Sequence, residues 1–189
     1  MEQENRVTAS GFWIGVEAMT ASVLTAAATH PRPVFCGRLA PDNPLQAAVE
    51  ASGARAEWHD IALDNAVGQG YLLDLMRQRA PVEQVVWALP PLTTGQVGCE
   101  QAAAASLDTM LATTREITES LIAVLRGAES VLEAGVGAGV TVLCEGREAP
   151  MTPLARAVMA FVEAFVTAES ERWAALGLSL TLASADSIK

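Results

Sequence analysis

A regular alternation of short apolar runs with helical stretches limits this chain to very few folds. The runs are bounded by proline, glycine or polar residues, and most are rich in β-branched or aromatic side chains, which is typical of buried parallel strands. The predicted strands are residues 32–37, 56–63, 84–89 and 140–144, with 178–182 as a fifth candidate. The predicted helices are residues 15–30, 43–52, 66–79, 106–127 and 151–175.

Strands that alternate with helices in this way predict an α/β fold with a Rossmann-like, doubly wound parallel sheet. The chain has 189 residues, a length that suits one hydrophobic core, so we treat residues 1–189 as a single domain. Apolar residues make up 51% of the sequence and charged residues only 18%, which excludes an intrinsically disordered chain.

Charge and residue usage exclude several classes of function. A net charge of −10 repels phosphate backbones and anionic lipid surfaces, so we expect neither nucleic-acid nor membrane binding. No apolar window is long enough to span a membrane, and the N-terminus lacks a signal-peptide pattern. The three cysteines form no disulfide framework, and the two histidines lie far from any cysteine pair. We therefore expect a cytoplasmic protein without a metal site.

Several short strings occur in an order that is familiar from one enzyme family. The first, TASGFWIG at residues 8–15, is similar to a TGxxxGIG nucleotide-binding turn. The others match a strand end with a basic residue, an adenine contact and three later strands; they are residues 35–38, 59–61, 85–90, 139–145 and 177–180. Together these strings resemble the short-chain dehydrogenase/reductase superfamily over nearly the whole chain. The resemblance implies a Rossmann-like sheet that is truncated at the C-terminus and, because residues 2–6 are almost wholly polar, degraded at the first strand.

The nucleotide turn departs from the family pattern. Its three glycines allow a tight turn and a close approach of the backbone to the pyrophosphate, but the matching positions here are Ala9, Trp13 and Gly15. An indole at Trp13 would fill the space that the pyrophosphate needs. We therefore predict that this chain binds no cofactor. Arg38 and Asp60 are either relics of an adenosine pocket or simple surface residues.

The catalytic residues of the family are also missing. Family catalysis uses a tyrosine with a lysine four residues later, which lowers the tyrosine pKa, together with a serine and an asparagine. This chain has a single tyrosine, Tyr71, and a single lysine, Lys189. The corresponding positions fall at Leu154 and Val158 for the tyrosine and lysine, at Cys144 or Glu145 for the serine, and near Met110 for the asparagine. The resemblance therefore predicts a pseudo-enzyme.

The two longest predicted helices carry apolar side chains on more than one face, and a second apolar face must be covered by something. Members of the family typically dimerise through these two helices, and the predicted interface residues are Met110, Ile117, Leu121, Leu125, Met159, Val162 and Val166. The leading hypothesis is a non-catalytic subunit, most simply in a heterotetramer, that pairs with a complete homologue. That partner would bind NAD and oxidise an alcohol of the hydroxyacyl-CoA type.

Two hypotheses from other classes stay open. One is a stand-alone module that binds a small ligand or an acyl-CoA in the degenerate cleft. The other is an enzyme with relocated chemistry, which would use Cys144 or the carboxylates of Glu145 and Glu148.

Overall fold

The computed structural model describes residues 9–39, 44–51, 53–89, 107–133, 137–144 and 153–184. Its strands are β1 Ser10–Ile14, β2 Pro33–Gly37, β3 Glu57–Asp60, β4 Val82–Ala88, β5 Gly139–Cys144 and β6 Ser179–Ser184. Its helices are α1 Ala21–Ala27, α2 Pro44–Ala51, α3 Ala66–Gln78, α4 Leu107–Val131 and α5 Pro153–Ala175. A short 3-10 turn, Val16–Ala18, lies between β1 and α1.

The six strands form one sheet in the order β3-β2-β1-β4-β5-β6. Every neighbouring pair in it is parallel. The strand order reverses between β1 and β4, which gives the sheet the topological switch point of a doubly wound fold. The predicted fold class is confirmed, and the five predicted apolar runs all become strands.

The first strand differs from the prediction. The strand beside β2 and β4 is Ser10–Ile14, and all five of its residues are buried. From the sequence, the first strand was expected at residues 2–6, which lie outside the described residues. Residues 8–15 were expected to form the turn because they resemble the family string. The expectation of a degraded first strand is therefore wrong, since Phe12 and Ile14 are fully buried in the centre of the sheet.

Two hydrophobic clusters cover the two faces of the sheet. Side chains from α3, α4 and α5 pack on the face that carries Phe12 and Ile14. Residues of α1, α2 and the 3-10 turn pack on the other face, against Trp13 and Phe35. Because successive side chains of a strand point to opposite faces, β1 contributes to both clusters.

An aromatic row crosses three strands on the second face. Trp13, Phe35 and Trp58 are neighbours in register on β1, β2 and β3. The ring centroids of Phe35 and Trp58 are 4.4 Å apart in a stacked arrangement. Those of Trp13 and Phe35 are 5.7 Å apart. Such cross-strand aromatic pairs fix the register of the edge strand β3 as well as burying apolar area.

Helix α4 continues beyond the predicted stop. Glycine often ends a helix, so Gly127 was expected to terminate it, yet α4 runs on to Val131. Gly127 instead faces α3, where an added Cβ would collide with Leu73 and lie 3.3 Å from the sulfur of Met76. The glycine therefore serves the close approach of two helices.

The predicted interface residues lie inside the chain. Six of the seven are buried in the core cluster against the sheet, and the side chain of Met110 lies outside the described part. The six are Ile117, Leu121, Leu125, Met159, Val162 and Val166. The assignment of these six to a partner surface is wrong, because they form the sheet-facing stripes of α4 and α5.

Within the described part of the chain, no helix has the length and apolar character of a membrane span.

Candidate functional site

A cavity of about 270 Å³ opens at the switch point of the sheet. Gly15, directly after β1, and Trp87 and Ala88, at the end of β4, form its base. This is the edge at which doubly wound sheets bind their ligands. The remaining lining residues come from the segments after β2 and β3, from the 3-10 turn and from α4, and they are Glu17, Arg38, Leu63, Asp64, Thr113, Glu116, Ile117 and Ser120.

The turn after β1 is built around Gly15. Its φ angle is +82°, a left-handed conformation that favours glycine. An added Cβ would lie 2.8 Å from the carbonyl oxygen of Ala88, so this position also needs a close approach. The backbone N–H of Gly15 donates to the carbonyl of Cys36 at 2.8 Å. The turn is therefore held tightly against the end of β2.

Because β1 ends at Ile14, the nucleotide turn has a different register from the predicted one. Trp13 lies within β1 and is only 5% exposed, so its indole does not stand in the turn. Ala9 precedes the strand. Gly15 then takes the position of the first family glycine, and the positions four and six residues later are Met19 and Ala21. The assignment of Ala9 and Trp13 to the turn is wrong, although the turn still lacks two of three glycines.

Glu17 reaches from the 3-10 turn to the end of β2. The backbone N–H of Arg38 donates to its Oε2 atom at 3.1 Å. Burial raises the pKa of the Glu17 carboxyl, and the backbone hydrogen bonds and the charge of Arg38 only partly oppose this. Glu17 as a whole is nonetheless exposed to solvent. Its Oε2 atom lies directly over Gly37, where it would collide with an added Cβ.

Two further carboxylates surround the same strand end. The guanidinium of Arg38 pairs with Asp64. The backbone N–H of Leu39 donates to Oδ1 of Asp60 at 3.1 Å. The structure thus brings together Arg38 and Asp60, which the sequence analysis singled out, with Glu17 and Asp64, which it missed.

The residues at this edge do not fit a dinucleotide. Among the described lining residues, the acidic groups Glu17, Asp64 and Glu116 face a single basic group, Arg38, which already pairs with Asp64. A pyrophosphate would be repelled by this surplus of negative charge. In dinucleotide-binding sheets the pyrophosphate lies at the N-terminus of the first helix. Here α1 has only seven residues, and the side chain of Thr20 caps it by accepting from the N–H of Val23.

Of the positions that correspond to the family's catalytic residues, the side chain of Val158 lies in the described part of the chain. Val158 is 1% exposed and packs in the core. The side chains of Met110, Glu145 and Leu154, and Lys189 as a whole, lie outside the described residues. Tyr71 lies on α3 and is about half exposed, with its hydroxyl 3.3 Å from Nδ1 of His59 on the edge strand β3.

The two cysteines in the described part of the chain are poorly placed for chemistry. Cys36 is fully buried on β2, and burial raises its pKa far above the usual range for a thiol. Cys144 is only 3% exposed at the end of β5. A thiol nucleophile must be accessible and ionised, so neither side chain meets the requirement in this conformation.

Comparison with known proteins supports the fold but no finer assignment. No protein-family model and no curated protein matches the sequence. The structure is similar to a short chain oxidoreductase from Pseudomonas aeruginosa PAO1 with an atypical catalytic center, at a TM-score of 0.70 and 16% identity over 92% of this chain and 68% of that one. A short chain dehydrogenase from Burkholderia cenocepacia J2315 in complex with NADP matches at a TM-score of 0.68 and 16% identity, over 94% and 74%.

A dehydrogenase/reductase from Sinorhizobium meliloti 1021 has a TM-score of 0.71 at 10% identity, over 92% of this chain and 70% of that one. At these identities the likeness establishes the fold alone. The chain therefore has the fold of the short-chain dehydrogenase/reductases, as its sequence resemblance implied.

Four residues of this edge were not predicted from the sequence, and they are Glu17, Asp64, Glu116 and Ser120. They come from three segments that are far apart in the chain, and the hydrogen bond from Ser120 Oγ to the Leu63 carbonyl, 3.0 Å, links α4 to the loop after β3. The one usable signal was the position of Glu17, two residues after Gly15 in a segment where a phosphate would need neutral or basic groups.

Proposed function

We propose that this chain is a non-catalytic subunit that pairs with a catalytically complete short-chain dehydrogenase/reductase homologue. The observation that carries the proposal is the position of Tyr71. It is the only tyrosine in the sequence, and it lies on α3 beside the edge strand β3 rather than near β5 and α5, where the family's catalytic tyrosine would lie. A chain of this fold without a phenol at that place cannot relay a proton to substrate in the family's manner.

The cofactor in such a complex would belong to the partner. The surplus of carboxylates around Arg38 and the short, capped helix α1 both disfavour a pyrophosphate in this chain. The partner would carry NAD and an intact tyrosine and lysine. This chain would stabilise the partner and shape the edge of its substrate pocket.

The pairing surface would be the outer faces of α4 and α5, since their inner faces pack on the sheet. Leu111 on α4 is 59% exposed and Phe161 on α5 is 38% exposed. Phe161 stacks on Phe165, with ring centroids 5.8 Å apart. Around them the outer face of α5 carries small exposed side chains one helical turn apart, at Ala157, Ala160, Ala164 and Ala168. Small side chains let a partner helix approach closely while the phenylalanines supply buried apolar area.

The substrate of the complex would be an alcohol of the hydroxyacyl-CoA type, oxidised by the partner with NAD. The pattern of losses is similar to that of the non-catalytic subunit of 2-[hydroxy(phenyl)methyl]succinyl-CoA dehydrogenase of anaerobic toluene degradation. This resemblance supports a partner that acts on such a CoA thioester.

The test is co-expression with an intact homologue, followed by size-exclusion chromatography with light scattering and a dehydrogenase assay. We expect a stable mixed complex whose NAD-dependent activity disappears when the homologue's tyrosine is changed to phenylalanine. Changing Tyr71→Phe in this chain should leave that activity unaltered. A chain that stays separate from each homologue tried, or an activity that depends on Tyr71, contradicts the proposal.

The cavity supports a second candidate, a stand-alone binding module. Its lining combines apolar side chains, such as Leu63, Trp87 and Ile117, with a few polar groups, which is typical of small-ligand sites. This candidate is tested by thermal unfolding of the isolated chain with small ligands and acyl-CoA compounds. A ligand that stabilises the chain without any partner would favour it.

A further inference from the structure

The carboxylate of Glu17 lies over the end of β2. An added Cβ at Gly37 would collide with Oε2 of Glu17 and would lie 2.9 Å from the backbone nitrogen of Val16. Glycine at this position therefore leaves room for the 3-10 turn and for the carboxylate that the turn carries. The hydrogen bond from the N–H of Arg38 to Glu17 Oε2, 3.1 Å, then fixes the carboxylate in place.

The same place has a defined use in sheets that bind dinucleotides. There, an acidic side chain about 20 residues after the glycine turn, at the end of the second strand, accepts hydrogen bonds from the ribose hydroxyls. In this chain the second strand ends with Gly37, and no acidic side chain follows it directly. The carboxylate comes from the opposite side instead, from Glu17 in the first turn.

We propose that Glu17 is an internal ligand, whose carboxylate occupies the place over Gly37 and beside Arg38 that the ribose of an adenosine ligand would take. The chain's own side chain thereby fills this place. Three observations support this assignment. The Arg38 N–H donates to the carboxylate, the carboxylate fits closely over Gly37, and Glu17 lines the cavity.

The charges around Glu17 agree with a built-in occupant. Arg38 attracts the carboxylate, whereas Asp60 repels it, and burial raises the pKa of Glu17. Asp64 and Glu116 line the same cavity and add to the negative surroundings. The contacts that hold the carboxylate there are the hydrogen bond from the Arg38 N–H and the close fit over Gly37.

The experiment measures binding of adenosine, a neutral probe that carries the ribose but no phosphate. Wild type is compared with Glu17→Ala, which empties the place, and with Glu17→Gln, which keeps it filled and removes only the charge. Glu116→Ala is the matched control, because it removes a carboxylate from the same cavity without emptying the space over Gly37. Binding is followed by amide-resolved NMR titration, which also shows whether each variant is folded.

We expect Glu17→Ala to bind adenosine at least about tenfold more tightly than wild type, with shifts at Gly15, Gly37 and Arg38. Glu17→Gln and Glu116→Ala should stay close to wild type. Equal gains in Glu17→Gln would assign the effect to charge, and no gain in Glu17→Ala would show that the carboxylate blocks nothing; either result overturns the proposal. If Glu17→Ala does not fold, Glu17→Ser empties the same space.

This inference concerns the isolated chain and needs no partner. It adds to the proposed function only an account of how the nucleotide place is filled. Failure of the adenosine experiment therefore leaves the pairing proposal standing, and failure of co-expression leaves the assignment of Glu17 standing.

Discussion

The carboxyl group of Glu17 gives one residue of this chain a predictable pH dependence. Its pKa in the folded state is raised above 4.5, first by burial and then by Asp60, against the opposing effect of Arg38. The folded chain therefore holds this proton more firmly than the unfolded chain does. The protonated carboxyl group of Glu17 therefore stabilises the folded state. That stabilisation is complete below the pKa of the unfolded chain and is lost as the pH rises through the pKa of the folded chain.

We predict that Glu17→Gln is more stable than wild type at about pH 8 and that this advantage shrinks towards about pH 4. The measurement is the difference in free energy of unfolding between the two proteins, from denaturant titrations across that range. The control is Val67→Ala on the exposed surface of α3, which removes no titratable group and should show no such trend. A pH-independent difference for Glu17→Gln would be inconsistent with the raised pKa.

Phe35 is the central residue of the aromatic row and is fully buried. Phe35→Ala removes its stacking on Trp58 and its contact with Trp13, and it leaves a cavity between β1 and β3. We expect a loss of about 3–5 kcal/mol in the free energy of unfolding. The control is Val67→Ala, because Val67 is 83% exposed on α3 and should change stability very little. Equal effects of the two changes would show that the aromatic row does not stabilise the fold.

At the scale of the elements, the contact between α3 and α4 depends on a glycine. Gly127→Leu would place a side chain against Leu73 and Met76 and push the helices apart. Although leucine favours a helix more than glycine does, we expect a net destabilisation of about 1–2 kcal/mol. Gly70→Ala is the matched control, since nothing lies within 4 Å of an added Cβ there. That change should stabilise the protein by about 0.5–1 kcal/mol, because it only improves helix propensity. If both glycines respond alike, the close helix contact is not what Gly127 provides.

The outer face of α5 allows a second prediction at this scale, which rests on the proposed pairing. Ala164→Arg places a long charged side chain in the middle of the small-residue face, so it should weaken the mixed complex by about tenfold or more. The isolated chain should keep its fold, because Ala164 is exposed. Val67→Arg makes the same change on the exposed face of α3 and should leave the complex intact. Affinities from sedimentation or light scattering decide between these outcomes, and equal weakening by both variants would place the partner elsewhere.

At the scale of the whole molecule, the charge of the cavity predicts how the chain responds to cofactors. A ligand present at about 100 times its dissociation constant stabilises a protein by about 2.7 kcal/mol. For a chain of this size that would raise Tm by roughly 5–10 °C. We expect no measurable rise in Tm for the isolated chain with NAD or NADP at about 1 mM. That concentration is about the dissociation constant of a weak site. A clear rise would contradict both the charge argument and the proposed division of roles.

Much of the fold could be predicted from the sequence because buried parallel strands are nearly continuous apolar runs. Strand β4 was expected at residues 84–89 and lies at Val82–Ala88, and β5 was expected at residues 140–144 and lies at Gly139–Cys144. The register of β1 was missed, since a match to a family string outweighed the apolar pattern of Phe12 and Ile14. The end of α4 was missed because the role of Gly127 depends on Leu73 and Met76 of α3, which lie far earlier in the chain.

The candidate site could be predicted less well. Gly15, Arg38 and Asp60 were identified because they lie in strings that resemble the family, and the structure places them at strand ends, where ligands bind in such sheets. Glu17, Asp64 and Glu116 were missed, since nothing in their local sequence indicates that three separate loops and a helix meet at one edge. The prediction of the interface residues was wrong for a related reason. Periodicity shows which side chains share a helix face, but it does not show which face packs on the sheet.

The sequence by itself determined the class of fold, the net negative charge and the lack of a tyrosine–lysine pair, because these follow from local apolar patterns and from residue counts. Only the tertiary structure decided which faces of α4 and α5 are buried, where the first strand begins and which side chain fills the space over Gly37 at the end of β2. Those properties depend on contacts between residues far apart in the chain. Arg38 and Glu17 are separated by 21 positions, and only folding brings the N–H of one to the carboxylate of the other.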